Sequence, residues 1–250
     1  MRSLIVAGLA VALVAASAPP KPGETLNVVA CPIVRDTEPA PCWLVRSGGR
    51  LFYLGTQTDL SGSFYPPQQG HEALVEGVVT ERTRCGGIVL DPVKVSVLKP
   101  LTGACRERLP AAGFSTPWVE RGSGPSTRKP GPRPPQVMPD PPPPYAARTF
   151  SLEFDFDSDF VALRSALALA QAAALARASH AHVSVVGSRS ATRLSNGREM
   201  VESAEMAQRR ARKAVLFLKD QGVAPAAITV SWQGTGARAV TVEVTPPPGP

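Results

Sequence analysis

The chain has 250 residues, 43% of them hydrophobic, an ordinary globular share that suits one large or two small domains. Its formal charge is +7, yet Lys and Arg against Asp and Glu number ten to nine over residues 19–118, five to two over 119–149 and eleven to nine over 150–250. With no concentrated basic face, composition argues against a nucleic-acid partner. Proline, with 27 copies, is the outlier.

The start, "MRSLIVAGLAVALVAASAPP", has one Arg, an apolar run from Leu4 to Ala16 and then small residues, the layout of a secretory signal over residues 1–18. The run falls short of the ~20 residues a spanning helix needs, so no membrane span is expected after cleavage. Export agrees with an even set of cysteines, Cys31, Cys42, Cys85 and Cys105, which an oxidising compartment pairs. Sequence separation favours Cys31 with Cys42 and Cys85 with Cys105, the shortest loops.

Residues 19–113 read as an all-β domain. "LNVVA", "CWLVR", "RLFYLG", "EALVEGVV" and "VKVSVL" are short runs rich in β-branched and aromatic residues. Gly48-Gly49 and Gly86-Gly87 mark turns that need positive φ. A small disulfide-stapled barrel, OB-like in form, is the expected fold. His71 is alone, no Ser, His and Asp grouping occurs, and no C-x-x-C pair is present for redox or zinc chemistry.

Residues 114–147 lose apolar periodicity and fill with proline, which favours extended polyproline II. They read as a semi-rigid linker that holds the β domain away from a second domain beginning at residue 148. Residues 246–250 read as a disordered tail.

From Arg148 the periodicity sharpens. Phe150, Leu152, Phe154 and Phe156 alternate with polar residues as a strand with one buried face. Asp157 or Ser158 is placed to cap a helix, along which Phe160, Leu163, Leu167, Ala170 and Ala174 form an apolar stripe. Asp155, Asp157 and Asp159 begin like a calcium loop, but positions six and twelve hold Phe160 and Ala166 where Gly and Glu are needed. "HVSVVG" is a strand. Residues 199–220 follow as a helix with Met200, Ala204, Ala207, Ala211, Ala214 and Leu218 on one stripe, Glu205 paired to Arg209, and Gly222 as the stop. "AITVSW" and "AVTVEV" complete β-α-β-α-β-β. His180 and His182 have no third ligand nearby, and neither a metal nor a cofactor is expected.

"FDFDS", "VSVVG" and "MAQRRARKAVLFLKDQGV" follow, in order, the opening strand, second strand and second helix of the OmpA-like C-terminal domain, and residues 148–245 resemble that peptidoglycan-binding family of Gram-negative envelope proteins. The resemblance implies that Arg210 grips the carboxylate of a diaminopimelate residue, since Arg holds a carboxylate with two parallel hydrogen bonds. The family's Asp, partner of the ligand ammonium, aligns with Ser190, after Arg189. Its Asn aligns with Ser203, and of its paired arginines only Arg238 is kept. Glu199 or Glu202 is left to supply the missing charge. The resemblance thus implies a non-enzymatic periplasmic protein, outer-membrane or cell-wall associated, that contacts peptidoglycan weakly or with altered specificity. The alternative is an adaptor that has lost that contact and binds another envelope protein.

Overall fold

The computed structural model describes residues 20–56, 69–116 and 137–248. The expected signal segment, most of the linker and the last two residues of the tail lie outside them.

Residues 25–109 build one seven-stranded sheet. Its strands are β1 (Thr25–Ala30), β2 (Pro32–Arg35), β3 (Cys42–Ser47), β4 (Arg50–Thr56), β5 (His71–Arg84), β6 (Gly87–Leu101) and β7 (Arg108–Leu109). Among the described residues the strand order is β1-β5-β6-β4-β3-β2-β7, with β1 and β7 at its ends. Leu26 of β1, Trp43 of β3, Phe52 of β4 and Val95 of β6 share one core. Gly48 and Gly49 both take positive φ between β3 and β4, while the tight β5–β6 turn places it on Cys85 and Gly86.

The disulfides are Cys31–Cys105 and Cys42–Cys85, not the short-loop pairs that spacing favours. The sheet decides this. β2, which starts one residue after Cys31, pairs in parallel with β7, which lies just beyond Cys105. Cys42 and Cys85 meet in a small core with Ile33, Leu44 and Tyr53.

The second module contains β8 (Arg148–Glu153), α1 (Leu163–Ser179), β9 (His182–Ser188), a hairpin of β10 (Ala191–Arg193) and β11 (Glu199–Val201), α2 (Met206–Asp220), a single 3-10 turn, β12 (Ile228–Gln233) and β13 (Ala239–Thr245). The sheet runs β12-β9-β13-β8, with β9 and β12 parallel. The hairpin is an addition to the expected order, and its second strand occupies the start of what reads as one long helix.

Helix α1 starts later than expected, after Ala162, with no side-chain cap. Its buried side is Ser165, Leu169, Ala172, Ala173 and Ala176, whereas Leu163 and Leu167 are 76% and 49% exposed. Alanine on every side leaves the helix nearly uniform in apolarity, so periodicity cannot select a face. On α2 the buried stripe keeps Ala207, Ala211, Ala214 and Leu218 of the expected one, whereas Met200 lies on β11 and Ala204 is exposed before the helix, and Gly222 at φ +87° turns the chain after it. Gly187 explains the small residues: a Cβ there would lie 2.2 Å from the Ala207 carbonyl oxygen, so α2 rests directly on β9.

The two modules touch, contrary to the expectation of a module held away. Leu74 of β5, Phe156 and Leu194 form a shared apolar cluster, joined by Val29, Leu98 and Met200. The Ser96 hydroxyl accepts the Phe156 N–H at 2.8 Å. The β10–β11 turn covers the free edge of β1, where the Ser195 N–H donates to the Asn27 carbonyl at 2.8 Å and the Asn27 N–H donates to the Ser195 hydroxyl. The backbone N–H and carbonyl of Asn27 on that edge are thereby satisfied. Part of the proline-rich stretch is also fixed, because Arg177 donates to the Met138 carbonyl and pairs with Asp140, and Tyr145 packs on the core. No helix among the described residues is long and apolar enough to cross a membrane.

Candidate functional site

The "FDFDS" run leaves β8 and passes in front of α2, where it forms the wall of the site. Arg210 rises from the buried side of α2 into this wall and is fully buried. Its Nε donates to the Ser158 carbonyl, Nη1 to the Ser188 carbonyl and Glu202 Oε2, and Nη2 to the Asp155 carbonyl and Glu202 Oε1. A guanidinium has five N–H donors, and all are used within the chain. Its face lies 5.1 Å from the Phe154 ring.

Glu202 is equally enclosed. Besides the paired bonds from Arg210 it accepts the Asp157 N–H at 2.8 Å and the Ser190 N–H at 2.7 Å. Burial by itself raises its pKa, but the hydrogen bonds from Arg210, Ser190 and Asp157 overcome this and hold the carboxyl below its ordinary range. The arrangement is that of a carboxylate bound by an Arg fork and two backbone amides, with both halves supplied by the chain itself.

The remaining expected residues surround this pair in supporting positions. Arg189 Nη1 donates to the Glu202 carbonyl at 2.6 Å. Ser190 contributes its backbone N–H to Glu202, and its hydroxyl accepts from Arg238 Nε at 3.3 Å. Ser203 donates both its N–H and its hydroxyl to Asp157 Oδ1. Burial again opposes ionisation of Asp157, but Ser203 and then Lys99 hold its pKa below the ordinary value. Glu199 lies apart, opposite Arg193 on the hairpin. Asp159 pairs with Arg209, which therefore does not depend on the expected Glu205.

Arg238 faces the other module. Its Nη1 and Nη2 donate to the two oxygens of Glu76 on β5 at 2.7 and 3.0 Å, and Nη2 also reaches the Thr192 hydroxyl. The Ser188 hydroxyl fixes the approach by donating to the carbonyls of Ala237 and Ala239. Phe156 lies under this guanidinium at 5.2 Å, so each Phe of "FDF" backs one arginine. Beside the bridge a cleft of about 380 Å³ opens between the modules, lined by Asn27, Glu76, Lys94, Phe154, Ser190 and Arg238. Asp155, expected on an exposed strand face, is half-buried here. Burial raises its pKa against the lowering pull of Arg238, Lys94 and Arg210.

Sequence reading missed Glu76 and the acceptor role of the Asp155 and Ser158 carbonyls. No motif marks a Glu in a strand of another module, and backbone acceptors carry no residue signature. Among the described residues no group of three or more His, Cys, Asp or Glu is arranged to hold a metal.

No family model matches the chain, and no curated protein matches it. Among solved structures it is similar to the OmpA-like domain of FopA1 from Francisella tularensis, at 15% identity and TM-score 0.33 over 40% of this chain and 73% of that one. It is also similar to the periplasmic domain of Helicobacter pylori MotB, at 18% identity and TM-score 0.32 over 40% of this chain and 77% of that one. A MotB-like protein from Desulfovibrio vulgaris is similar at 16% identity and TM-score 0.32, covering 41% of this chain and 75% of that one.

Proposed function

We propose that the chain is a non-catalytic cell-envelope protein that works by binding, in which residues 148–245 keep the frame of a wall-contacting domain but no longer offer Arg210 to a diaminopimelate carboxylate. The observation that carries this reading is the closed Arg210–Glu202 pair, whose guanidinium has no donor left for a ligand. The second module then serves as a platform. Arg238 and the β10–β11 hairpin, which surround the same corner, are engaged by the disulfide-bonded sheet. Two disulfides suit an oxidising compartment such as the periplasm. Partner recognition falls to surfaces of the β module.

A second reading is favoured by the ordered motif pieces around Arg210, Leu218 and Gly222: weak peptidoglycan contact, in which Glu202 yields its place to a ligand carboxylate. Sedimentation of the full chain with purified sacculi, with and without free diaminopimelate, separates the two. The adaptor reading expects no saturable retention. Retention that free diaminopimelate competes away overturns it in favour of wall contact.

A further inference from the structure

We propose that Arg35 is the receptor for a carboxylate group, on the disulfide-bonded end of the β module. Arg35 ends β2, in register with Cys42 on one side and Leu109 on the other. It is only 8% exposed, yet it forms no ion pair among the described residues, and its buried Nε has no hydrogen-bond partner. Arg210, the other deeply buried arginine, shows what such a group ordinarily requires: a carboxylate and a full set of acceptors. A buried charge without these is costly, and it persists where something else supplies the anion.

The surroundings fit an anion. The Phe114 ring stacks on the guanidinium at 4.7 Å, which offsets part of the missing solvation. The ring itself is 40% exposed. Gly86 seals the other side of the ring: a Cβ there would lie 2.9 Å from Phe114 and 3.5 Å from Arg35 Nη2, and φ is +73°. Nearby, Arg84 stacks over Tyr53 and Arg108 sits beside Val34 on β7, and neither has an ion pair among the described residues. Their positive charge favours the approach of an acid to Arg35, whose Nε is buried without a partner among the described residues. Arg's planar fork matches a carboxylate with two parallel bonds.

The test uses the full chain and two probes, sodium acetate and the peptide acetyl-Gly-Glu-Gly-amide, each against sodium chloride at the same ionic strength. For the wild type, saturating acetate is expected to raise Tm by about 2–4 °C over chloride and to shift the Arg35 Nε–H resonance saturably. Arg35→Met should abolish both responses. Because it removes an unpaired buried charge, its Tm in chloride should equal or exceed that of the wild type. Arg84→Gln should keep the response. A tighter response to the peptide assigns the carboxylate to a polypeptide, and an equal one to a free acid. Equal effects of acetate and chloride, or an Arg35→Met protein that responds as the wild type does, overturn the proposal. Should Arg35→Met not fold, Arg35→Lys decides: a response weakened tenfold or more supports a fork-bound carboxylate, and an unchanged one rejects it.

Discussion

The Arg210–Glu202 and Arg238–Glu76 pairs are chemically alike, and each is backed by a phenylalanine of the same short run, but they join different things. Arg210 and Glu202 lie eight residues apart within one module and neither side chain is exposed. Arg238 and Glu76 are 162 residues apart, belong to different modules and are 11% and 20% exposed. The first pair fixes the shape of a site from inside. The second holds two folded units together, with water at its margin. A carboxylate in an arginine fork can thus close a corner within one module or recruit a neighbouring module, according to which element delivers it.

The largest expected effect comes from breaking the inner pair. Glu202→Ala leaves Arg210 buried without a counter-charge and should cost about 3–5 kcal/mol, read from urea unfolding. A loss below about 1 kcal/mol would show that water reaches the guanidinium and that the site is not closed. Gly187→Ala, which drives a methyl group into the Ala207 carbonyl, should cost about 3 kcal/mol by separating α2 from β9.

Breaking the outer pair should do less and something different. Glu76→Ala and Arg238→Ala should each cost about 1–2 kcal/mol, and a double-mutant cycle should return a coupling of about 1 kcal/mol or more between residues of separate modules. Purely additive losses would mean that the apolar cluster of Leu74, Phe156 and Leu194 docks the modules without help from the bridge.

The smallest effect is a pH dependence that also distinguishes the two regions. Glu202 and Asp157 have pKa values held below the ordinary ones, so they contribute stability that is complete at neutral pH. That stability is lost as pH falls below about 4.5 and through the folded-state values. Asp155 runs the other way: its raised pKa means that ionisation opposes folding above its value and that acid relieves the opposition. Asp155→Asn at neutral pH should therefore be neutral or stabilising by less than about 1 kcal/mol, while Glu202→Gln should flatten the acid limb of a stability–pH curve. An Asp155→Asn protein that loses stability would assign Asp155 to the bridge network instead.

Much of the local structure was legible. β-branched runs marked five of the seven strands of the first sheet, and the small-residue stripe of α2 was legible from Ala207 to Leu218 but not the helix start, which falls at Met206 rather than residue 199. Short strands such as β2 and β7 were not, because four residues and two residues carry too little pattern to register. The start and buried face of α1 were lost in uniform alanine. At the site, the motif pieces point to Arg210, Ser190 and Glu202, which the structure joins by hydrogen bonds within the chain. What the residues could not tell was that Glu202 spends its charge on Arg210.

The sequence by itself determined periodicity, turns, the boundary where proline gives way to alternating Phe and Asp, and the presence of an even cysteine set. These are local properties, fixed by side-chain pattern within a few residues. The tertiary structure alone decided which cysteines pair, that the modules dock, and that one arginine is satisfied from within while Arg35 is not. Each of these depends on groups distant in the chain meeting in space, where burial turns an unpaired charge from a trivial matter into a costly one.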